Sequence, residues 1–347
     1  MKKFFIQVLS LSLVLILLSG CGTSTDSGTS MEKQQKQVYA MDTVILLTCY
    51  GDCAEAALTA AEARLLELQA DLDPEEEGGS VYRVNRNAGT FVPVSEDCYA
   101  ICAAALEVRE RSGGALEPAM YNLINAWGFI ADDFRVPSDA EIFGLLAEIE
   151  ACEITLDSDS LSVRVSEGCQ ISFGAVAKGY SAQAALEAMA QAGAEYAIVS
   201  LGGNVQTLGE TKPNGASWKV AVTDPEDPGD YLAMLTLGEK AIVTSGGYQR
   251  YFEQDGVTYI HILDPETGYP ADSGLTSVTI VCEEGVEADA LSTAMFVLGE
   301  EKALDYWRTY GGFEMILVTE DRRVIVTPGL TDCFEEDADY LYEYLEN

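Results

Sequence analysis

Histidine occurs once in these 347 residues, at His261, and proline only 10 times. Basic side chains are scarce: 20 Lys and Arg stand against 57 Asp and Glu, a net charge of −37. Nucleic-acid binding needs a basic footprint, so no nucleic-acid partner is expected. No CxxC pair with companion histidines is present, which argues against a zinc site. The GxxxxGK[ST] loop is missing, and no repeat with a period of about 20–50 residues is visible. What is present is a core-rich chain, 48% hydrophobic with 31 glycines, enough for one large or two small domains. An anionic ligand must be brought to so acidic a protein by local cations or by metal.

The N-terminus reads as a targeting segment. Lys2 and Lys3 precede a 15-residue apolar stretch, Phe4 to Leu18, and Leu18-Ser19-Gly20-Cys21 closes it. That length suits a signal-peptide core and is short for a membrane span. The closing tetrapeptide resembles a bacterial lipoprotein cleavage box, so residues 1–20 are expected to be removed and Cys21 to carry lipid. The mature chain then has 18 basic against 57 acidic side chains, a net charge of −39. Residues 21–37 are polar and rich in Ser, Thr, Gly, Lys and Gln, and read as a flexible tether. The folded part, 38–347, is expected to begin near Val38, outside the cytoplasmic membrane. Disulfides are allowed in that setting, but the pairing of the eight other cysteines is left open.

Periodicity predicts a mixed chain. Val44 to Cys49 reads as a strand, and Ala54 to Gln69 as a helix with Leu58, Leu65, Leu66 and Leu68 along one side. Further helices are predicted over Glu96–Arg111, Ser138–Glu150 (capped by Ser138), Val176–Ala192 and Glu287–Leu298. Strands are predicted at Ile154–Leu156, Leu161–Val165, Tyr196–Leu201, Trp218–Val222 and Thr276–Cys282. Hairpins turn at Asp255-Gly256 within Tyr251–Leu263 and at Asp321-Arg322 within Met315–Thr327. Antiparallel hairpins interrupted by helices place the fold in the α+β class.

Four segments carry chemistry. Ile171 to Tyr180 runs through Gly174 into a helix bearing Lys178, a place where exposed N–H groups and one cation meet an anion. Leu201-Gly202-Gly203-Asn204 ends a strand in paired glycines, suited either to a tight turn or to close backbone approach. His261 ends a strand just before an Asp264-Pro265 turn. With an unperturbed pKa of about 6.5, roughly three-quarters of such a ring is neutral at pH 7, as a proton acceptor must be. Asp289 and Thr293 stand four apart on one helix face, a hard-oxygen pair suited to Mg²⁺. Each segment, taken alone, also admits a purely structural role.

Together these segments resemble the flavin transferase family, the FAD:protein FMN transferases of the ApbE type. The resemblance runs from about Tyr39 to Thr327. It is carried in order by Met41-Asp42-Thr43, Ser80 with Asn85, Glu117-Pro118, Asn125-Ala126-Trp127-Gly128-Phe129, Ala177-Lys178-Gly179-Tyr180, Leu201-Gly202-Gly203-Asn204, Thr244-Ser245-Gly246, His261 to Pro270, and Asp289-Ala290-Leu291-Ser292-Thr293. The resemblance implies an antiparallel-sheet architecture with packed helices, related to the T-fold. It implies Mg²⁺-dependent transfer of FMN from FAD to a threonine of a flavoprotein acceptor, with release of AMP. The metal would sit at the Ala175 carbonyl, Asp289 and Thr293, with Ser292 helping. Met41, Ala115, Leu116, Glu117, Lys178 and the backbone at Ile262 would line FAD, and Ser172 stands where the family commonly has Asp. His261 would be the base. The acceptors would be domains of extracytoplasmic redox complexes, reached from a lipid anchor on the outer face of the cell membrane. FAD hydrolysis to FMN and AMP, or flavin carriage without catalysis, are the alternatives.

Overall fold

The computed structural model describes residues 31–346. Its first strand, β1 (Lys33–Ala40), pairs antiparallel with β2 (Thr43–Tyr50) along its whole length, from Lys33↔Tyr50 to Ala40↔Thr43. The expected tether over 21–37 is therefore corrected at its end, because Lys33 to Gln37 are strand and the fold starts before Val38. Ladder pairing uses backbone groups alone. At a sheet edge the Lys and Gln side chains stay in water while Val38 and Ala40 pack inward, so composition reads such a strand as linker. Residues 1–20 and Cys21 lie outside the described residues.

There follow α1 (Ala54–Leu72), α2 (Ser80–Arg86), β3 (Val92–Pro93), α3 (Glu96–Arg111), α4 (Tyr121–Ala126), α5 (Asp139–Glu150), β4 (Ile154–Asp157), β5 (Ser162–Val165) and α6 (Ala177–Gln191). The second half holds β6 (Ala197–Leu201), β7 (Asn204–Leu208), β8 (Trp218–Thr223), β9 (Tyr231–Leu237), β10 (Ala241–Gly246), β11 (Tyr251–Gln254), β12 (Val257–Ile260), β13 (Leu275–Cys282), α7 (Gly285–Tyr310), β14 (Glu314–Thr319), β15 (Arg323–Val326), β16 (Phe334–Glu336) and β17 (Leu341–Tyr344). The expected end of the last helix at Leu298 is overrun. Gly299, at φ 76°, interrupts the helix as a C-terminal glycine would, and the chain then turns helical again to Tyr310.

A nine-stranded sheet in the order β1-β2-β6-β7-β10-β13-β14-β15-β17 organises the molecule, antiparallel except for the β15–β17 pair. Period-two alternation makes it two-sided. Val243, Ile280, Met315 and Leu317 face the helical side, where Ala288, Leu291 and Met295 of α7 meet them. Their neighbours Ile242, Val281, Ile316 and Val318 face the small sheet β16-β9-β8 through Val220, Val222 and Leu235. At the β1 edge, Ile45, Leu47 and Val199 pack under α1 and α6. Cys152 and Cys169 form a disulfide with Cα atoms 5.9 Å apart. Cys98 and Cys102 are buried core thiols of α3.

Candidate active site

One end of the large sheet collects the chemistry. Met41 (φ 52°) and Asp42 (φ 57°) make the two-residue turn from β1 to β2, and Gly202 (φ 53°) and Gly203 (φ 95°) make that from β6 to β7. Two-residue hairpins with both central residues left-handed match the twist of the strands. Glycine takes that conformation freely, whereas Met41 and Asp42 take it at a steric cost that clusters at functional sites. The Met41 amide is held by Gln69 Oε1 at 2.7 Å. Because β2 and β6 are neighbours the turns touch: a Cβ on Gly202 would lie 3.1 Å from Thr43 Oγ1. β10 pairs with β7 at Val243↔Asn204 and carries Thr244-Ser245-Gly246 to the same end.

Behind these turns α6 and α7 meet at Gly179. Its N–H, in the first turn of α6, donates to Asp289 Oδ2 at 2.8 Å, and its carbonyl accepts from Gln206 Nε2 at 2.8 Å. Asp289, 3% exposed, thus caps a neighbouring helix with its negative charge on the positive end of that helix. Asp289 forms no ion pair with Lys or Arg among the described residues. One turn along α7, Ser292 Oγ lies 2.8 Å from Ser245 Oγ, and Thr293 Oγ1 lies 3.4 Å from it. Among the described residues no three His, Cys, Asp or Glu side chains gather as a metal cluster. The donor set is one buried carboxylate with hydroxyls beside it, a hard-oxygen combination that suits Mg²⁺ if substrate oxygens and water complete the shell.

The loop before α6 is fixed from afar. Asn85 on α2 donates from Nδ2 to the Ile171 carbonyl at 2.9 Å and accepts the Ile171 N–H at 2.8 Å. The Ser172 N–H donates to the Pro118 carbonyl at 2.9 Å, joining this loop to the Ala115–Glu117 segment. Lys178 Nζ donates to the Gly174 carbonyl at 2.9 Å, beside Ala175. Ala115 and Leu116 are buried. The Glu117 carboxylate is engaged inside the protein, accepting from the Ala119 N–H and from Arg109 Nε.

His261 follows the β11–β12 hairpin, whose left-handed turn residues are Asp255 and Gly256, as the sequence predicts. This hairpin is a two-stranded sheet of its own. Aromatic rings hold it: Phe252 stacks between Phe134 and Tyr259 at 5.2 and 5.1 Å, and Trp127 packs on Tyr259 at 5.4 Å. The Trp127 Nε1–H donates to the Gly268 carbonyl at 2.9 Å, tying the Asn125–Phe129 motif to the turn after His261. The imidazole is half-buried. Desolvation first, then the positive charge of Lys178, lowers its pKa to about 4. The expectation of a ring only three-quarters neutral at pH 7 is thereby corrected: the folded protein holds it neutral throughout the neutral range.

Lys178 and His261 are thus within electrostatic reach, Asp289, Ser292 and Thr293 share one face of α7, and Ser172 and Ala175 share the loop leading into α6. Met41 stands at the turn beside Gly202, and Ile262, buried, follows His261. Sequence reasoning left three contributors without a role: Asn85, which holds the loop; Ser245, which joins the hydroxyl group; and Arg250, whose carbonyl receives His261. The first two stood in segments that carried the resemblance, but their partners are 86 and 47 positions away. Nothing local marked Arg250.

Oxygen donors at a helix start, one cation and one neutral imidazole at a sheet end define an α+β enzyme equipped for phosphate-ester chemistry. The chain belongs to the ApbE family, whose model matches residues 41–317. It is 32% identical to the FAD:protein FMN transferase of Treponema pallidum (strain Nichols), over 80% of this chain and 81% of that one. It is 33% identical to the FAD:protein FMN transferase of Klebsiella pneumoniae (strain 342), over 83% and 89%. The crystal structure of the ApbE protein of Thermotoga maritima superposes with a TM-score of 0.77 at 31% identity, covering 83% of this chain and 95% of that one.

Proposed function

We propose that this protein transfers FMN from FAD to a threonine hydroxyl of a protein acceptor, with Mg²⁺ bound at Asp289. Transfer of FMN from FAD to a protein rests on the family and on relatives bearing that activity in their name. The single observation that favours metal is Asp289, a buried carboxylate with no ion pair to a cationic side chain among the described residues, on the same face of α7 as Ser292 and Thr293, whose hydroxyls group with that of Ser245. A buried charge needs a compensating partner, and the helix end supplies only part of one. When bound there, Mg²⁺ supplies charge neutralisation on the pyrophosphate oxygens.

The chain's own residues account for the remaining steps. Lys178 adds the cation of the loop at the phosphates. Neutral His261 takes the proton of the acceptor hydroxyl as its oxygen bonds to the FMN phosphorus. The bond from that phosphorus to the bridging oxygen breaks, and AMP leaves with that oxygen. Phosphoryl transfer of this kind is mainly positioning and charge stabilisation.

Cys21, lipidated, would hold the enzyme on the outer face of the cell membrane, within reach of flavin-bearing domains of redox complexes. No helix among the described residues is long and apolar enough to cross a membrane. The test mixes purified protein with FAD, Mg²⁺ and a flavoprotein domain carrying an acceptor threonine. Flavin fluorescence on the denatured acceptor supports transfer. AMP without a labelled acceptor indicates hydrolysis instead, and neither product leaves a flavin carrier.

A further inference from the structure

We propose that His261 works as the Nδ1–H tautomer with Nε2 as its proton-accepting atom, and that Arg250 and Phe129 are the positioning residues that impose this form. The inference rests on His261 being the base. Arg250 and His261 face each other at the open end of the β11–β12 hairpin, one step beyond the Tyr251↔Ile260 pair. The Arg250 carbonyl accepts the His261 main-chain N–H at 3.0 Å and lies 3.0 Å from ring Nδ1. A carbonyl has no proton to give, so the ring contact is a hydrogen bond only when Nδ1 carries the hydrogen. A neutral imidazole has one N–H, and Nε2 is left with its lone pair. One backbone atom therefore sets the place of the residue and the protonation pattern of its ring.

Phe129 keeps that atom and the ring together. Its phenyl group, 1% exposed, meets the His261 ring edge-on at 6.4 Å and lies under the Arg250 guanidinium at 6.0 Å. Arg250 also pairs with Asp132 at 2.6 Å, an aspartate that is largely in water. An ion pair with one partner in water contributes little. The contact with Phe129 adds a second restraint. An orienting partner on the far nitrogen is the arrangement that makes an imidazole a competent base, here built from main chain instead of a carboxylate.

The single histidine makes the test direct. Full-length protein without a histidine tag, labelled with ¹⁵N-histidine, gives one pair of ring nitrogen signals. The expected spectrum at pH 7 shows a protonated Nδ1 and a pyridine-like Nε2. The opposite assignment overturns the proposal whatever the rates. Phe129→Leu should mix in the Nε2–H form and slow FMN transfer by about tenfold or more, with FAD binding within a few-fold. Should Phe129→Leu not fold, Arg250→Ala keeps the carbonyl and loses the packing, and Arg250→Lys should restore part of both signals. Unchanged spectra in the folded variants would remove the Phe129 ring and the Arg250 side chain from the role and leave the main-chain carbonyl alone. If His261→Ala transferred at the wild-type rate, the base reading would fail with the wild-type tautomer signals still as expected, and the two failures are told apart.

Discussion

The Gly179 N–H and Asp289 Oδ2 join α6 to α7 at 2.8 Å, and a methyl group on Gly179 would lie 2.0 Å from the Gly285 carbonyl oxygen. Only hydrogen fits between these helices. Gly179→Ala must push α7 away from α6 and take Asp289 from its place. Overpacking of this kind costs about 1–3 kcal/mol. The melting temperature should fall and FMN transfer should fall further than stability alone explains. An alanine variant with wild-type melting and transfer would mean that the two helices can separate without disturbing the site.

Asp289→Asn separates charge from packing. The amide oxygen can still accept the Gly179 N–H, so thermal stability should stay near wild type. The attraction for a divalent cation is lost with the charge. Metal stabilises phosphate chemistry by several kcal/mol, so AMP release should drop on the order of a hundredfold or more. The measurement is AMP formation after EDTA treatment and restoration of Mg²⁺. Normal turnover by the variant would exclude Asp289 as a metal ligand.

Asn85→Ala tests the long-range support of the loop before α6. It leaves the buried Ile171 N–H and C=O without their side-chain partner. Unpaired buried groups of this kind cost about 1–3 kcal/mol. Denaturant unfolding should show that loss, and the affinity for FAD should weaken because Ser172, Ala175 and Lys178 share the freed loop. Lost stability with unchanged FAD affinity would confine Asn85 to the fold.

Local physics carried the sequence reading where an element is self-contained. The spacing of Leu58, Leu65 and Leu68 in α1, the Asp255-Gly256 turn and the cap by Ser138, which accepts the Glu141 N–H at 3.3 Å, needed no tertiary context. Leu66, placed on the same side by the sequence, is exposed because it stands about 100° round the helix from Leu65. β1 was hidden because its partner β2, and not its own polar side chains, makes it a strand. α7 looked complete at Gly299 because a glycine just past the last turn is a common helix end. The site residues Asp289, Thr293, Lys178 and His261 were legible as chemical types in local settings. Ser245 and the Arg250 carbonyl were not, since their roles arise from contacts across chain distance or from a backbone atom common to every residue.

Cys21→Ser addresses the anchor. The lipoprotein box makes a lipid on Cys21 the proposed attachment. The variant should move from the membrane pellet to the soluble fraction while retaining FMN transfer to a soluble acceptor. Continued pelleting after a carbonate wash would point to an uncleaved N-terminal segment.

His261 yields a prediction in pH with a definite sign. Burial, aided by Lys178, lowers its folded-state pKa from 6.5 to about 4. A lowered pKa means that the unfolded chain binds the proton more readily. The ring's contribution to stability is therefore full above 6.5 and is lost as pH falls from 6.5 toward 4. Catalysis follows the same ionisation, because only the neutral ring accepts a proton. As far as this group governs the rate, transfer should be level from pH 6 to 8 and decline only on approach to about 4. His261→Ala should lower transfer on the order of a hundredfold to ten-thousandfold, keep FAD binding within a few-fold, and lose this acid limb. Carboxylates of the site also titrate in acid, so the ring's own protonation should be followed by ¹⁵N shifts beside the rates. Lys178→Met removes the second cause of the shift and should raise the ring's midpoint toward 6.5, drawing the acid limb up with it. A midpoint that stays near 4 would assign the whole shift to burial, and a wild-type ring titrating near neutrality would show that water reaches it.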